Sequence, residues 1–282
     1  MSYIELKNIV YKYPFAKTAA LHSVTYGFEK GGFYGVIGQN GGGKTTLCNL
    51  IRGLVPHFYK GELHGEALID GMDIRHWDIA ELAVKIGYVF QNPFTQISGV
   101  RETVFEEIAL GLENMGIPKL EIINTVVKTS KLLGIDHLLD KNPSRLSGGQ
   151  RQRVAFASIL AMDCEMLVID EPTSQLDPQG TEEVFGIIAM LRESGKTIVL
   201  VEHKINLIAQ YCDEVLVMQN GRVALSGKTA DVLTNPQLGE CGANVPEVVG
   251  FGRAMAAAGR PLGRIPITVE EAVREVKLCQ SN

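Results

Sequence analysis

The sequence has no hydrophobic run long enough to span a membrane. The run from Val154 to Met162 is among its longest mostly apolar stretches, far short of the roughly 18 residues that a transmembrane helix needs. The first six residues, MSYIEL, lack the basic and apolar regions of a secretory signal peptide. We therefore expect a cytosolic chain.

The sequence also lacks an excess of basic residues. Its 27 lysines and arginines are outnumbered by 32 acidic residues, which gives a net charge of −5 and a pI near 5.7. Proteins that bind nucleic acids usually carry a basic face, so this balance argues against that class and leaves open only a local basic patch. The five cysteines are scattered without a C-x-x-C spacing, which predicts reduced, mostly structural thiols.

A glycine-rich loop follows the short apolar run at residues 33–37. Residues 38–45 read GQNGGGKT and fit the P-loop pattern, in which successive backbone N–H groups surround phosphates at the start of a helix. The next residues predict a helix from Thr45 to Leu54. Taken alone, such a loop can also be a glycine-rich turn that binds nothing, but the order strand, glycine loop, helix is the one that a P-loop requires.

Three further motifs follow the P-loop in order. Residues 146–150 read LSGGQ, and residues 166–171 read MLVIDE, which places two carboxylates at the end of a buried strand. The strand at residues 197–201 is followed by Glu202 and His203. Taken alone, Ser147 can be an ordinary helix N-cap and His203 a structural histidine.

Together these motifs resemble those of the ATP-binding cassette (ABC) ATPases over roughly the first 235 residues. The resemblance implies an α/β fold: a P-loop ATPase core with an N-terminal antiparallel β-subdomain, a helical subdomain at about residues 92–160 and a small C-terminal helical extension. It divides the chain into a nucleotide-binding domain, residues 1–235, and an extension, residues 236–282, which is a candidate dimerisation element.

The resemblance also implies roles for individual residues. ATP would be bound by Tyr13, which would stack on adenine, and by the P-loop residues Gly38, Gln39, Asn40, Gly41, Gly42, Gly43, Lys44, Thr45 and Thr46. Magnesium would be held by Thr45, Gln91 and Asp170. The catalytic residues would be Glu171, His203 and Gln91.

Further residues would act across a dimer. The signature residues Ser147, Gly148, Gly149 and Gln150 would contact the ATP of the opposite subunit. Ser174 and Asp177 of the D-loop would lie at the interface, where Gln175 replaces the alanine usual in the family. Glu202 also departs from the family, which often has threonine before the switch histidine. The aromatic ring of Tyr13 can equally be explained by packing.

Two segments are similar to the ATPases of energy-coupling factor (ECF) importers, which take up vitamins and transition-metal ions. Residues 90–97 read FQNPFTQI and residues 103–114 read TVFEEIALGLEN; Phe94-Thr95 departs from the Asp-Asn pair frequent there. This likeness implies an ATPase with ATP and Mg²⁺ as cofactors at the cytoplasmic face of the membrane. Its partners would be a second ATPase subunit, identical or related, a membrane-spanning subunit and a separate substrate-binding membrane subunit, with no nucleic acid. The alternative is a soluble ABC ATPase that acts on nucleic acid or ribosomes.

Two regions have helical periodicity. Val104, Ile108, Leu112 and Met115 predict one helix, and Pro118 opens a second that carries Leu120, Ile123 and Val127. In the extension, Val248, Phe251, Met255 and Ala258 predict one helix, and a capping-box pattern at Thr268 opens another with Val269, Val273 and Val276 on one face.

Overall fold

The computed structural model describes residues 2–174 and 176–280, apart from the side chains of Pro93, Phe94 and Gln280. Among these residues no helix is both long and apolar enough to cross a membrane. The strands are β1 Ser2–Lys12, β2 Leu21–Glu29, β3 Phe33–Ile37, β4 Glu62–Ile69, β5 Met72–Asp73, β6 Ile86–Val89, β7 Met166–Asp170, β8 Thr197–Val201, β9 Glu214–Gln219 and β10 Arg222–Lys228. The helices are α1 Lys44–Ile51, α2 Leu54–His57, α3 Ile79–Lys85, α4 Pro93–Gln96, α5 Val104–Asn114, α6 Lys119–Leu132, α7 Gly148–Ala161, α8 Pro178–Glu193, α9 Ile205–Tyr211, α10 Thr229–Leu233, α11 Glu247–Ala257 and α12 Val269–Gln280.

The strands form two sheets, as the sequence predicts. An antiparallel sheet has the order β2-β1-β4-β5, and a six-stranded sheet has the order β10-β9-β3-β8-β7-β6. In the second sheet β9, β3, β8, β7 and β6 run parallel, and β10 pairs antiparallel with β9. The carboxyl ends of β3, β7 and β8 therefore meet at one edge, where the P-loop begins and where Asp170, Glu171 and His203 lie.

The six-stranded sheet is buried on both faces. Along β8, Ile198 and Leu200 pack into one hydrophobic cluster with the helices α5 and α7, while Val199 and Val201 pack into a second cluster with α1 and the antiparallel sheet. Successive side chains of a strand point to opposite faces, so an apolar strand needs cover on both sides. This explains why the β3, β7 and β8 segments are almost continuously apolar.

The chain between β6 and β7 forms the helical subdomain with α4, α5, α6 and α7. Thr103 starts α5 with a capping box, in which its hydroxyl accepts from Glu106 N and the Glu106 carboxylate accepts from Thr103 N. The helix buries Val104, Ile108 and Leu112, as predicted.

Four helix predictions need correction. On α11 the predicted face, which includes Phe251, is rotated: Val249 and Gly252 are buried, and Phe251 is 40% exposed. The helix α1 ends at Ile51, not Leu54, because Gly53 adopts a left-handed φ of 78°. The helix α6 buries Ile122 and Val126, so its inner face is rotated by one residue and Leu120 is 76% exposed. On α12 the predicted apolar face is turned outward, with Val269 and Val273 exposed, while Ala272 and Glu275 are buried.

The C-terminal extension packs onto the rest of the chain. Leu238 and Val249 are buried in the same hydrophobic cluster as the helical subdomain. The Gln219 side chain donates a hydrogen bond to Glu240 O at 3.0 Å, and the backbone at Gly242 lies against the Gln39 side chain. The first residues of the extension therefore contact the P-loop.

Candidate functional site

A cavity of about 840 Å³ opens at the carboxyl edge of the six-stranded sheet. It brings together the P-loop from Asn40 to Thr46, Gln91 after β6, Glu171 after β7 and His203 after β8. These residues are separated widely in sequence, and the parallel strand order places them together. The remaining lining residues are Thr18, Ala19, Ala20, His22, Asn220 and Gly221.

The P-loop requires glycine where it leaves β3. Gly38 has φ 133°, and a Cβ atom there would lie 2.1 Å from Met218 O. A larger residue would therefore push the loop away from β9. The Lys44 ammonium donates to Gly38 O at 2.8 Å and to Gln39 O at 3.1 Å. Burial lowers the pKa of Lys44, because the charged form loses hydration.

Two adjacent carboxylates differ in their surroundings. Asp170 ends β7, is 8% exposed and accepts a hydrogen bond from the Tyr88 hydroxyl at 2.7 Å. Burial raises the pKa of Asp170. The next residue, Glu171, adopts φ 46°, a left-handed conformation that is costly for a non-glycine residue and recurs at functional sites. This turn directs the Glu171 side chain into the cavity.

Glu171 is held by two side chains from neighbouring strand ends. The Gln91 amide donates to Glu171 Oε2 at 2.6 Å, and His203 Nε2 lies 2.8 Å from Glu171 Oε1. Each carboxylate oxygen retains a further lone pair, so Glu171 can still accept a proton or a hydrogen bond from water. The structure thus brings together all three residues predicted to be catalytic.

The LSGGQ residues lie in a different cleft. Ser147 caps α7: its hydroxyl accepts from Gln150 N, and the Gln150 side chain accepts from Ser147 N. Ser147, Gly148, Gly149 and Gln150 share this cleft with Asp177, which caps α8. Ser174, which precedes Asp177 by three residues in the sequence, is exposed. Gln175 lies outside the described residues. A Cβ at Gly148 or Gly149 would meet nothing within 4 Å, so these glycines are not explained by contacts within the chain.

Tyr13 does not line the P-loop cavity. Its ring packs edge-on against Tyr11 and Tyr59, and its hydroxyl lies 3.3 Å from Thr46 Oγ1 and 3.4 Å from Asn49 Nδ2. Tyr13 is therefore placed beside the P-loop helix α1 as part of an aromatic cluster. Its stacking on adenine stays a prediction.

Sequence reasoning missed several residues of the site. Tyr88, bonded to Asp170, has the Arg52 guanidinium 3.7 Å from its ring centroid. Asn220 and Gly221 reach the cavity from the turn between β9 and β10. The Asn-Gly pair is a recognisable hairpin signal, but nothing in its sequence indicates that the turn faces the P-loop.

Residues 21–174 match the family ABC transporter, and this match covers the P-loop, the LSGGQ motif and both carboxylates. The chain belongs to the ABC transporter family. It is an ATP-binding ATPase subunit of the transporter type, and the solved ABC cassettes to which it is similar share its fold.

The ABC relatives include ECF proteins. The chain is 38% identical to the energy-coupling factor transporter ATP-binding protein EcfA2 of Streptococcus agalactiae, over 97% of this chain and 99% of the relative. Two further relatives come from Pyrococcus horikoshii and Pyrococcus abyssi. They are 39% and 38% identical to this chain, over 98% of this chain and over 97% and 98% of their own lengths. Both carry only the general name of ABC transporter ATP-binding protein.

Two solved ABC structures bear on assembly. The protein cbiO1 of Clostridium perfringens, described as part of the transporter complex cbiONQ, superposes with a TM-score of 0.74 at 33% identity, over 84% of this chain and 92% of cbiO1. A second ATP-binding cassette, solved as a dimer with ADP and phosphate, superposes with a TM-score of 0.69 at 29% identity, over 80% of this chain and 98% of that cassette.

Proposed function

We propose that this protein is the ATP-hydrolysing subunit of an ECF-type importer for a vitamin or a transition-metal ion. The observation that carries the proposal is the joint presence of a complete ATPase cluster and the ECF-like segments at residues 90–97 and 103–114. The likeness to EcfA2 and cbiO1 supports it. The protein would work at the cytoplasmic face of the membrane as a peripheral subunit.

Nucleotide binding would begin at the P-loop. The Lys44 ammonium, now bonded to two carbonyls of its own loop, would turn to the β- and γ-phosphates. The N–H groups of Gly41 to Thr46 would meet the remaining phosphate oxygens at the positive end of α1. Gly38 and Gln39 would shape the loop rather than touch the nucleotide, because they do not line the cavity.

Three residues at the carboxyl edge of the six-stranded sheet carry oxygen atoms that suit magnesium. Thr45 supplies a hydroxyl, Asp170 a carboxylate and Gln91 an amide oxygen, and Mg²⁺ in ATPases commonly takes one or two carboxylates together with substrate phosphates. When bound, the ion would neutralise charge on the β- and γ-phosphates.

Hydrolysis needs an oriented water molecule more than it needs covalent help. Glu171 is the residue we assign to that task, because its carboxylate faces the cavity and is fixed by Gln91 and His203. His203 would contact the γ-phosphate and so respond when that phosphate is lost. Gln91 would link the same point to the helical subdomain, which begins directly after it.

A second cassette would complete each ATP site. The residues that line the signature cleft do not line the P-loop cavity. We therefore assign the signature residues to the ATP of an opposite subunit, which is either another copy of this chain or a relative. Ser174 and Asp177 would lie at the same interface. We propose residues 236–282 as a second contact between the cassettes, because this segment exposes the large apolar side chains of Phe251, Val269 and Val273.

The membrane-spanning subunit would dock on the helical subdomain. A cleft of about 460 Å³ between α5 and α6 is lined by Phe105, Ile117, Ile122 and Ile123, with Glu113 and Lys119 at its edge. Its apolar floor and charged rim suit an amphipathic helix. The substrate-binding subunit would be a separate membrane protein.

Affinity purification from native membranes in mild detergent tests this proposal. We expect the tagged protein to recover a polytopic membrane subunit and a small membrane-embedded binding protein, identified by mass spectrometry. Ile123→Glu, in the cleft, should lose both, whereas Leu120→Glu, on the exposed side of the same helix, should retain them. Recovery of ribosomal or DNA-associated proteins instead would overturn the transport role and leave the ATPase chemistry standing.

A further inference from the structure

Glu202 is a buried carboxylate beside the proposed switch residue His203. It is 4% exposed and stands where ABC proteins often have threonine. A carboxylate survives burial only when hydrogen-bond donors replace the water that it loses. Three hydrogen-bond donors surround Glu202, and they show which groups its carboxylate holds in place.

Both oxygens of Glu202 are occupied. Oε1 accepts from His203 N at 2.9 Å and from Lys204 N at 3.1 Å, and Oε2 accepts from the Thr173 hydroxyl at 2.8 Å. Thr173 is itself 1% exposed. These three hydrogen bonds fix the backbone at His203 and Lys204 and tie it to Thr173.

These contacts close a ring around the reaction centre. Glu171 is followed two residues later by Thr173, which bonds Glu202; Glu202 precedes His203, whose imidazole returns to Glu171 at 2.8 Å. The backbone adds a parallel link, since Glu171 N donates to Val201 O at 2.8 Å. The ring joins the ends of the neighbouring strands β7 and β8, so the His203 position depends on the segment after Glu171.

Glu202 does not face the nucleotide. It is absent from the residues that line the P-loop cavity and lines instead a small void of about 30 Å³ with Gly38, Gly242 and Asn244. We therefore expect its effect on hydrolysis to pass through His203. A threonine at this position would be too short to reach both the backbone N–H groups and Thr173.

We propose that Glu202 is a positioning residue for ATP hydrolysis: its carboxylate ties the backbone of His203 to Thr173 and so presets the contact between His203 and Glu171. The inference rests on the role proposed above for His203. It predicts that Glu202 matters for turnover and not for nucleotide affinity, because its hydrogen bonds go to Thr173, His203 and Lys204 and not to the P-loop.

A double-mutant comparison separates positioning from general stability. We expect Glu202→Ala to lower kcat about tenfold or more, since small misplacements of reacting groups are costly, with KM for ATP changed less than about twofold. In a His203→Ala background the same change should lower kcat no further, because its effect passes through His203. Thermal unfolding of each variant checks that it is folded.

Conservative variants provide the rescue. Glu202→Gln keeps an oxygen for the two backbone N–H groups and should retain most of the turnover. Thr173→Val, which removes one donor, should lower kcat several-fold, and Thr173→Ser should restore it. Glu165→Gln, a carboxylate in an exposed ion pair with Lys30 and Lys85, is the matched control and should leave kcat unchanged.

The two assignments fail in different ways. If His203→Ala lowers kcat but Glu202→Ala and Thr173→Val do not, the positioning role is wrong and the switch role stands. If the fold losses in kcat from Glu202→Ala and His203→Ala multiply in the double variant, Glu202 acts by another route and the proposal is overturned. If His203→Ala leaves kcat unchanged, the switch role fails and the positioning role fails with it.

Discussion

The P-loop cavity and the signature cleft differ in how complete they are. In the cavity, Lys44, Gln91, Glu171 and His203 come from four separate segments and already contact one another or their own loop. In the cleft, Ser147 satisfies its own helix start, and the glycines beside it face open space. We propose that the first region is the reaction centre and that the second is a surface for a ligand held by another chain.

The difference also extends to charge. Carboxylates at the cavity edge offset the buried Lys44, whereas the cleft offers the positive end of α7. The N-terminus of this helix of 14 residues is of the kind that attracts phosphate. The P-loop cavity and the signature cleft have different lining residues within one chain, as expected if each is one half of an ATP site that a second cassette completes.

The largest expected effect comes from Glu171→Gln, which tests the completeness of the cavity. Without the carboxylate to orient water, turnover should fall about 100-fold or more, while ATP binding remains and the closed dimer accumulates. Phosphate release and nucleotide binding, measured on the same preparation, decide this. Hydrolysis near the wild-type rate would remove Glu171 from its assigned role.

Lys44→Ala should act on binding instead. Loss of the charged donor to the phosphates should weaken ATP affinity about tenfold or more, as measured by titration with a fluorescent ATP analogue. Lys128→Ala, an exposed lysine on α6, is the charge-matched control. Unchanged affinity in Lys44→Ala would contradict the assignment of this lysine to the phosphates.

Gly148→Ala tests the signature cleft. The single chain has room for the added methyl group, so its stability and ATP affinity should be unchanged, but turnover should fall about tenfold because the opposite nucleotide approaches less closely. Gly186→Ala, on α8, is also free of contacts and should only stabilise its helix by about 0.5–1 kcal/mol. Equal turnover in the two variants would mean that Gly148 approaches no partner.

The smallest expected effect is on stability: without nucleotide, Asp170→Asn should make the folded protein more stable. Burial raises the pKa of Asp170 in the folded state. Above this raised pKa, the ionised carboxylate destabilises the folded state. The destabilisation fades as the pH falls from the raised pKa towards the ordinary value. The variant without nucleotide should therefore melt higher at neutral pH, with the advantage fading toward acid pH. A rise of about 2–4 °C in Tm would correspond to ~1 kcal/mol. A lower Tm at neutral pH would contradict this prediction.

Local apolar pattern predicted the strands of the sheet, and the family resemblance selected Gln91, Glu171 and His203, which the structure brings together. Buried parallel strands are continuously apolar, and the polar motif residues lie at or just after their carboxyl ends, as Asp170 and His203 do. Helix faces were predicted less well. On α12 the valines lie outside and Glu275 inside, because the carboxylate accepts from Arg264 N at 3.3 Å, a contact that periodicity does not show.

Residues that act through long-range contacts could not be found from the sequence. The bond between Tyr88 and Asp170 spans 82 positions, and the bond between Thr173 and Glu202 spans 29. Neither pair has a spacing rule, since strand order in the sheet brings each pair together. The role of Tyr13 in stacking on adenine was predicted from the family resemblance. Its packing against Tyr11 and Tyr59 is a tertiary contact that the sequence does not indicate.

The central claim is that the signature cleft completes an ATP site on a second cassette. The most direct test is the molar mass of Glu171→Gln with and without Mg-ATP, by size exclusion with light scattering, on this chain alone and on any cassette pair recovered from membranes. The account predicts a two-cassette mass that requires ATP and is lost in Glu171→Gln/Gly148→Asp. A one-cassette mass in both preparations, with ATP bound at saturation, would contradict it.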